Sequence, residues 1–148
     1  MAERPDIRLT AEEQAAFLRA HRKAALATLD KDGFPHITAM NYVLHDSAFY
    51  MTSYGKAQKV VNIRRNPKAA IMVETGSAYA ELKGVMVRGL CEIIDDADAV
   101  NEVFAWMAEQ RGETRSPGAA RSAPKRVVLK IVPQKTVSWD HRKLGGRY

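Results

Sequence analysis

The sequence has few of the residues that build covalent or metal-centred sites. Its 148 residues include one cysteine, Cys91, which excludes an internal disulfide and a cysteine-based zinc site. The four histidines lack metal-ligand spacing, so we expect no metal centre, and each is read as structural or exposed. The motifs GxGxxG, GxxxxGK[ST] and HExxH are absent, which disfavours dinucleotide folds, P-loops and zinc proteases. A single cysteine makes the reducing cytoplasm the expected compartment.

Long apolar runs are also missing. No run approaches the ~18 residues of a membrane span, and residues 1–10 lack the apolar core of a secretory signal. We therefore expect no membrane partner. Hydrophobic residues (46%) and charged residues (27%) stand at levels typical of a globular protein, and the length favours one domain over residues 1–148.

Charge is distributed unevenly. Residues 1–110 carry a net charge of −2 and residues 111–148 a net charge of +8. Residues 47–73 contain no acidic side chain, yet they contain five basic ones: Lys56, Lys59, Arg64, Arg65 and Lys68. Such excess positive charge indicates an anionic partner. Nucleic acid ranks last, because the tail has no aromatic residues besides Trp139 and Tyr148.

Local signals predict three helices. Thr10 and Glu13 have capping-box spacing and begin a helix that we expect to end near Arg22. A second helix is predicted over residues 57–65, stopped by Asn66-Pro67. Asp95 or Asp96 caps a third, whose apolar face carries Val100, Val103, Phe104 and Met107.

Turn signals divide the rest into strands. We predict strands over residues 24–29, 36–44, 48–52, 69–73, 79–94 and 126–132, with Gly84 and Gly89 marking bends in the long one. Residues 112–124 are rich in Gly, Ser, Pro, Arg and Ala and are predicted to be a flexible loop, and residues 133–148 form a tail. About six or seven strands joined by hairpins favour a mostly β protein, a small antiparallel barrel with peripheral helices.

Small polar residues at the end of one strand form a candidate phosphate site. Thr52, Ser53 and Lys56 precede a predicted helix start, and hydroxyls, backbone N–H groups and a lysine can together bind a phosphate. An ordinary strand end beside a solvated lysine is the alternative. Cys91 lies near Ile93 and Ile94 and is read as a core residue.

Three segments together resemble a known family. They are residues 27–36 (ATLDKDGFPH), residues 49–53 (FYMTS) and residues 59–67, which contain Lys59 and NIRRNP. In this order they resemble the FMN-binding split-barrel family, the pyridoxamine 5′-phosphate oxidase-like group that includes F420-dependent reductases. Residues 81–89 and 138–144 resemble its later bent strand and its tail.

The resemblance implies a six-stranded antiparallel split β-barrel that works as a homodimer, with two cofactors at the subunit interface. It places one strand along the ring and ribityl chain, at His36, Thr38, Ala39, Met40 and Asn41. Thr52, Ser53 and Lys59, with Lys56 as a further candidate, would hold ribityl and phosphate. The tail and bent strand of the opposite subunit would add Lys83, Gly84, Trp139 and Arg142.

The resemblance also implies a function. We expect an FMN-binding oxidoreductase that transfers hydride to or from an unidentified small molecule; the alternatives are an F420-dependent reductase and a non-catalytic flavin- or haem-binding protein. Oxidation of pyridoxamine phosphate is disfavoured, because Thr38 and Val43 stand near the places where the true oxidase has an arginine and a lysine. No side chain stands out as a general acid or base.

Overall fold

Eight strands and three α-helices make up the computed structural model, which describes residues 3–114 and 123–147. The helices are α1 (Ala11–Ala20), α2 (Gln58–Arg65) and α3 (Ala97–Gln110). The strands are β1 (Lys23–Leu29), β2 (Pro35–Asn41), β3 (Val43–His45), β4 (Ala48–Tyr54), β5 (Lys68–Thr75), β6 (Lys83–Ile94), β7 (Arg126–Ile131) and β8 (Lys135–Asp140). Single 3₁₀ turns cover Tyr79–Glu81, Ala123–Lys125 and His141–Leu144.

All described strand pairs are antiparallel and form one sheet with the order β2-β1-β5-β6-β7-β4-β3. Strand β8 pairs with the first half of β6, up to Arg88, whereas β7 pairs with its second half, from Cys91. Gly89 lies at this change of partner, where a Cβ would overlap the carbonyl oxygen of Val132. A glycine is therefore required here, as the sequence indicates.

Two apolar clusters hold the sheet and helices together. The larger one fills the inside of the barrel and includes Leu26, Met51, Ile71 and Leu129, each at most 1% exposed. The smaller one lies between α3 and the outer face of β3, β4 and β7. The predicted apolar face of α3 supplies it, because Val100, Val103 and Met107 are buried and Phe104 packs beside them. Burial of such side chains is the main stabilising term.

The helix caps follow the sequence. Thr10 accepts a hydrogen bond from Glu13 N and the Glu13 carboxylate accepts one from Thr10 N, which is the capping box predicted from the spacing. Asp96 caps α3. Helix α1 ends at Ala20, two residues before the predicted Arg22, because His21 is already extended.

Strand number is the first correction, since the structure has eight strands where the resemblance implied six. The predicted strand over 36–44 is interrupted at Tyr42, which is 1% exposed. Its hydroxyl donates to the carbonyl of Leu18 at 2.6 Å, and its backbone N–H donates to Arg22 O at 2.8 Å. The N–H bond extends the β1–β2 ladder by one more pair, and the chain then leaves β2, so that Val43–His45 pairs with β4 as a separate strand.

Three further segments have a secondary structure that differs from the sequence prediction. Residues 79–81 form a 3₁₀ turn, and the strand begins only at Lys83. The tail contains β8, which pairs with the protein's own β6. Of the predicted loop 112–124, residues 115–122 lie outside the described residues, and Ala123 belongs to a 3₁₀ turn and is 1% exposed. The 3₁₀ turn at 123–125 corrects the loop prediction there.

Candidate functional site

Strand β2 has a free edge beside a split in the barrel. It ends the strand order, so no described strand pairs with its second edge, and it contacts β4 without pairing with it. In an antiparallel edge strand every second residue directs its backbone N–H and C=O away from the neighbouring strand. These groups can hydrogen-bond a planar ligand, which suits Ala39, whose side chain is small and apolar.

Two side chains of β2 carry buried polar atoms without a partner among the described residues. They are His36 Nδ1 and Thr38 Oγ1, on the face of β2 that also carries the buried Met40. Ala39 and Asn41 lie on the opposite, exposed face. Buried polar atoms are rarely left without a partner, so each marks a place where a hydrogen-bonding group fits. A cofactor with a polar chain along β2 supplies such groups.

Helix α2 is fixed beside His36 by a buried polar network. Asn62 is fully buried, and its Nδ2 donates to Thr28 Oγ1 at 3.1 Å. Its Oδ1 accepts from Gln58 Nε2 at 2.8 Å. Thr28 lies directly across the β1–β2 ladder from His36. The network therefore sets where α2 stands relative to the unpartnered ring of His36.

Lys59 lies one turn before Asn62, and residues three apart share a helix face. It is half-buried on the side of α2 that meets β1. Neither Lys59 nor the exposed Lys56 forms an ion pair with a described carboxylate. The turn between β4 and α2 is anchored to the chain before β7, because Gly55 N donates to Lys125 O at 3.0 Å. Lys56 and Lys59 thus present positive charge at this end of the barrel.

The structure does not bring the hydroxyls of Thr52 and Ser53 together. Thr52 pairs with Val128, which belongs to the smaller apolar cluster under α3. Ser53 pairs with Val127, which belongs to the larger cluster inside the barrel. Directly paired residues share a sheet face, so the two hydroxyls point to opposite faces. Ser53 is the one on the interior face, where its Oγ lies 3.2 Å from the carbonyl of Tyr54.

The residues predicted to come from the opposite subunit form a second group. Gly84 is buried under the indole of Trp139, and a Cβ there would overlap that ring. The Nε1–H of Trp139 donates to Glu74 Oε2 at 2.8 Å. The Nζ of Lys83 lies 5.5 Å from the ring centre of Phe17. Arg142 is exposed in the last 3₁₀ turn.

An open groove of about 860 Å³ borders β2. It is lined by Thr38 and Ala39 on one side and by Met72 and Glu74 on the other. Glu74 is the residue that holds the Trp139 indole. The groove is thus large enough for a tricyclic ring. Its walls carry Thr38 and Ala39 of the first predicted group, and Glu74 links it to Trp139 of the second.

The remaining reactive groups do not point to catalysis. Burial raises the pKa of the Cys91 thiol to about 12, so the thiolate is scarcely populated at neutral pH. Burial also raises the pKa of Tyr42, whose hydroxyl is committed to Leu18. The described residues hold no group of three or more potential metal ligands. Within the same residues, no helix is long and apolar enough to cross a membrane.

Three residues of this region were missed by sequence reasoning. Glu74 gave no signal, since its contact with Trp139 joins residues 65 positions apart. Thr28 is an ordinary strand residue by pattern. Asn62 could have been found, because a polar residue between Val60 and Ile63 falls on the buried face of α2.

Comparison with known proteins identifies the family. The family model described as pyridoxamine 5′-phosphate oxidase matches residues 10–140. The chain belongs to this family. The split-barrel resemblance seen in the sequence is thereby confirmed, and the observed fold agrees with it.

Relatives within and around the family include F420-dependent enzymes. The F420H(2)-dependent biliverdin reductase of Mycobacterium tuberculosis (strain CDC 1551 / Oshkosh) is 28% identical over 122 residues, 81% of each chain. The conserved hypothetical protein Rv2991 from Mycobacterium tuberculosis is 36% identical, with a TM-score of 0.88, covering 100% of this chain and 95% of its own. A structure described as F420 reductase is 25% identical, with a TM-score of 0.63, over 78% of this chain and 89% of its own.

Proposed function

We propose that this protein is a reductase that binds a flavin-type cofactor, the deazaflavin F420 in preference to FMN. The observation that carries the proposal is the pair of polar atoms without a described partner, His36 Nδ1 and Thr38 Oγ1, on an edge strand. The neighbouring strand β1 is bonded to α2, the helix that carries Lys59. The sequence alone favoured FMN. Two relatives named for F420 move the preference to the deazaflavin.

Each part of the site has a task in this proposal. The free edge of β2, through the backbone of Ala39 and Asn41, holds the polar edge of the ring. His36 and Thr38 bind the hydroxylated chain, and Lys59, with Lys56, binds the phosphate as a charge partner. The groove wall at Glu74 and Trp139 limits the space beside the ring.

When bound, the cofactor supplies hydride for the reduction of a small molecule. The chain's own contribution is to orient the ring and to exclude water from one of its faces. We assign no catalytic residue. Oxidation of pyridoxamine phosphate remains disfavoured, because Val43 is buried under α3 and cannot contact a phosphate.

We propose further that the protein acts as a homodimer through the outer face of its sheet. One row of directly opposed residues crosses five strands on this face and is entirely apolar: Ala39, Ala25, Met72, Met86 and Val137. Met72 and Val137 are 38% and 41% exposed. A contiguous exposed apolar surface of this kind marks an interaction site, and a second copy can cover it by two-fold symmetry.

Cofactor titration and turnover test the proposal. We expect F420 and FMN to bind saturably, F420 more tightly, and reduced F420 to be oxidised in the presence of biliverdin or another acceptor. Binding without oxidation across an acceptor panel favours a non-catalytic carrier. Failure to bind either cofactor, or binding of haem alone, contradicts the proposed function.

Oligomeric state tests the dimer separately. Sedimentation should show a dimer, and Met72→Glu, which places a charge in the middle of the apolar row, should shift it to monomer. Glu92→Gln, an exposed change on β6, is the matched control. A wild-type monomer at micromolar concentration contradicts the proposed interface.

A further inference from the structure

A second groove lies on the outer sheet face, at the end of the sheet where β1 ends and β2 begins. Its volume is about 530 Å³. Its apolar wall includes Ala27, Leu29, Ala70 and Leu90, and its charged side chains are Lys68 and Arg88. The groove thus combines an apolar surface with charge of one sign.

The strand register adds a third cation. Arg88 is directly opposite Lys135 in the β6–β8 ladder, and Lys68 is opposite Leu90, two residues further along β6. Like charges that face each other across an antiparallel pair destabilise it, because their Cβ atoms are only about 5 Å apart. None of the three forms an ion pair with a described carboxylate.

The row of residues that contains Arg88 and Lys135 is only partly apolar, unlike the row beside it on the outer face. The row next to the apolar one runs Ile37, Ala27, Ala70, Arg88 and Lys135, so its first three members are apolar and its last two are basic. Solvation of these cations decreases when the apolar side of the face is covered, which raises the free energy of an unpaired charge. An anion at this place would remove both the desolvation and the repulsion.

We propose that this groove binds the anionic group of a flat apolar molecule, with Lys68 and Arg88 as its charge partners. Ala27, Ala70 and Leu90 provide the surface for the apolar body. The groove adjoins the cofactor strand, since Pro35 and Thr28 line it and His36 follows Pro35. As a substrate subsite it rests on the proposed reductase function, for which it specifies an aromatic or conjugated carboxylate.

A matched pair of fluorescent probes tests the groove without any cofactor. The probes are 8-anilinonaphthalene-1-sulfonate and the uncharged N-phenyl-1-naphthylamine, which share one aromatic skeleton. The variant is Lys68→Gln/Arg88→Gln, and Arg4→Gln/Arg147→Gln removes the same charge from exposed positions elsewhere. Circular dichroism and urea unfolding verify that both variants are folded.

The proposal predicts a component of sulfonate binding that saturates at one probe per chain. In the Lys68/Arg88 variant its Kd should rise at least about tenfold, the loss of one charge-assisted hydrogen bond. The uncharged probe should change less than about twofold, and the control variant should leave both probes unchanged. The proposal is overturned if the wild type shows no saturable sulfonate binding, or if the Kd of the sulfonate rises less than twofold in the Lys68/Arg88 variant. It is also overturned if the two probes lose affinity equally, or if the control variant loses as much affinity for the sulfonate.

The two proposals fail separately. F420 and FMN titrations on the Lys68/Arg88 variant should match the wild type, because neither residue lies at the β2 edge or on α2. If the wild type binds no cofactor while the sulfonate result holds, the groove is an anion site of another function. If the cofactors bind and the sulfonate result fails, the groove is not a substrate subsite.

Discussion

The contact between Asn62 and Thr28 gives the sharpest prediction about how the site is built. Helix α2 is only eight residues long, and its N-cap residue, Ala57, makes no side-chain cap. A helix this short is marginal by itself, so tertiary contacts must hold it. The hydrogen bond from Asn62 Nδ2 to Thr28 Oγ1 is a buried polar tie between α2 and β1.

The magnitudes follow from burial. Thr28→Val removes the acceptor and leaves a buried amide N–H unsatisfied, which costs about 1–3 kcal/mol. Asn62→Leu leaves the Thr28 hydroxyl unsatisfied and also removes the hydrogen bond from Gln58, so we expect a loss of about 2–4 kcal/mol. The double variant replaces both polar groups by apolar ones, and it should be more stable than the sum of the single losses by about 1–2 kcal/mol.

Urea unfolding of the wild type, the two single variants and the double variant gives the coupling free energy between Thr28 and Asn62. The four m-values must be equal for the comparison to hold. Gln58→Ala is the comparison variant. It removes one donor to Asn62 Oδ1 while Arg65 Nη2 remains within 3.4 Å, so it should change stability by less than about 1 kcal/mol. The single variants should also weaken F420 binding, since Lys59 moves with α2. Single losses below about 0.5 kcal/mol, or strict additivity, would refute the reasoning.

Three further predictions concern other parts of the chain. Gly84→Ala should destabilise the protein by about 1–3 kcal/mol because the added Cβ overlaps the Trp139 ring. Gly55→Ala is the control, since its Cβ would lie 3.6 Å from Val127, an ordinary contact distance. Equal unfolding midpoints for the two variants would contradict the close packing of Trp139 on Gly84. The Glu13 carboxylate accepts from Lys143 Nζ at 2.7 Å, and this bond, together with the one from Thr10 N, lowers the Glu13 pKa from 4.5 to about 2. The ionised Glu13 carboxylate therefore contributes fully to the free energy of unfolding above pH 4.5, and this contribution is lost as the pH falls towards 2. Glu13→Gln should make stability fall less steeply with decreasing pH in this range. An unchanged pH dependence would count against the ion pair. The Cys91 thiol, with its pKa of about 12, should react with a disulfide reagent only at the rate of unfolding, and rapid reaction of folded protein would disprove its burial.

Features set by neighbouring residues could be predicted from the sequence. The capping box of α1 joins residues three apart, and the turn before β2 depends on Asp30, whose Oδ1 accepts from Asp32 N and Phe34 N at 2.9 Å each. Helix α2 ends at Arg65 because Asn66 precedes a proline. In each case the energetic preference is local, so pattern and structure agree.

Features set by distant contacts could not be predicted. The second strand breaks at Tyr42, whose hydroxyl donates to the carbonyl of Leu18, 24 residues away. The last strand lies in the sheet because Lys135–Asp140 pairs with Lys83–Arg88, and nothing in either segment specifies the other.

The site shows the same division between local and distant information. His36, Thr38 and Lys59 were named from the family resemblance. His36 lies opposite Thr28 of the buried network, and Lys59 lies on the same helix as Asn62. The separation of Thr52 from Ser53 follows from the strand period of two and was available in the sequence, but it required knowing that the strand continues to Tyr54. The roles proposed for Glu74, Lys68 and Arg88 depend on which distant residues the strands bring beside them, so the sequence did not predict them.

The central claim is that Lys59 binds the phosphate of a flavin-type cofactor lying along β2. The direct measurement is the ratio of affinities for each cofactor and its phosphate-free form: F420 against its deazariboflavin core, and FMN against riboflavin. In the wild type the phosphorylated member should bind at least about tenfold more tightly, and Lys59→Ala should remove most of that advantage, a change of about 1.5–3 kcal/mol. Lys31→Ala, in the exposed turn before β2, should leave the ratio unchanged. Equal affinities in the wild type, or a ratio that survives Lys59→Ala, would contradict the claim.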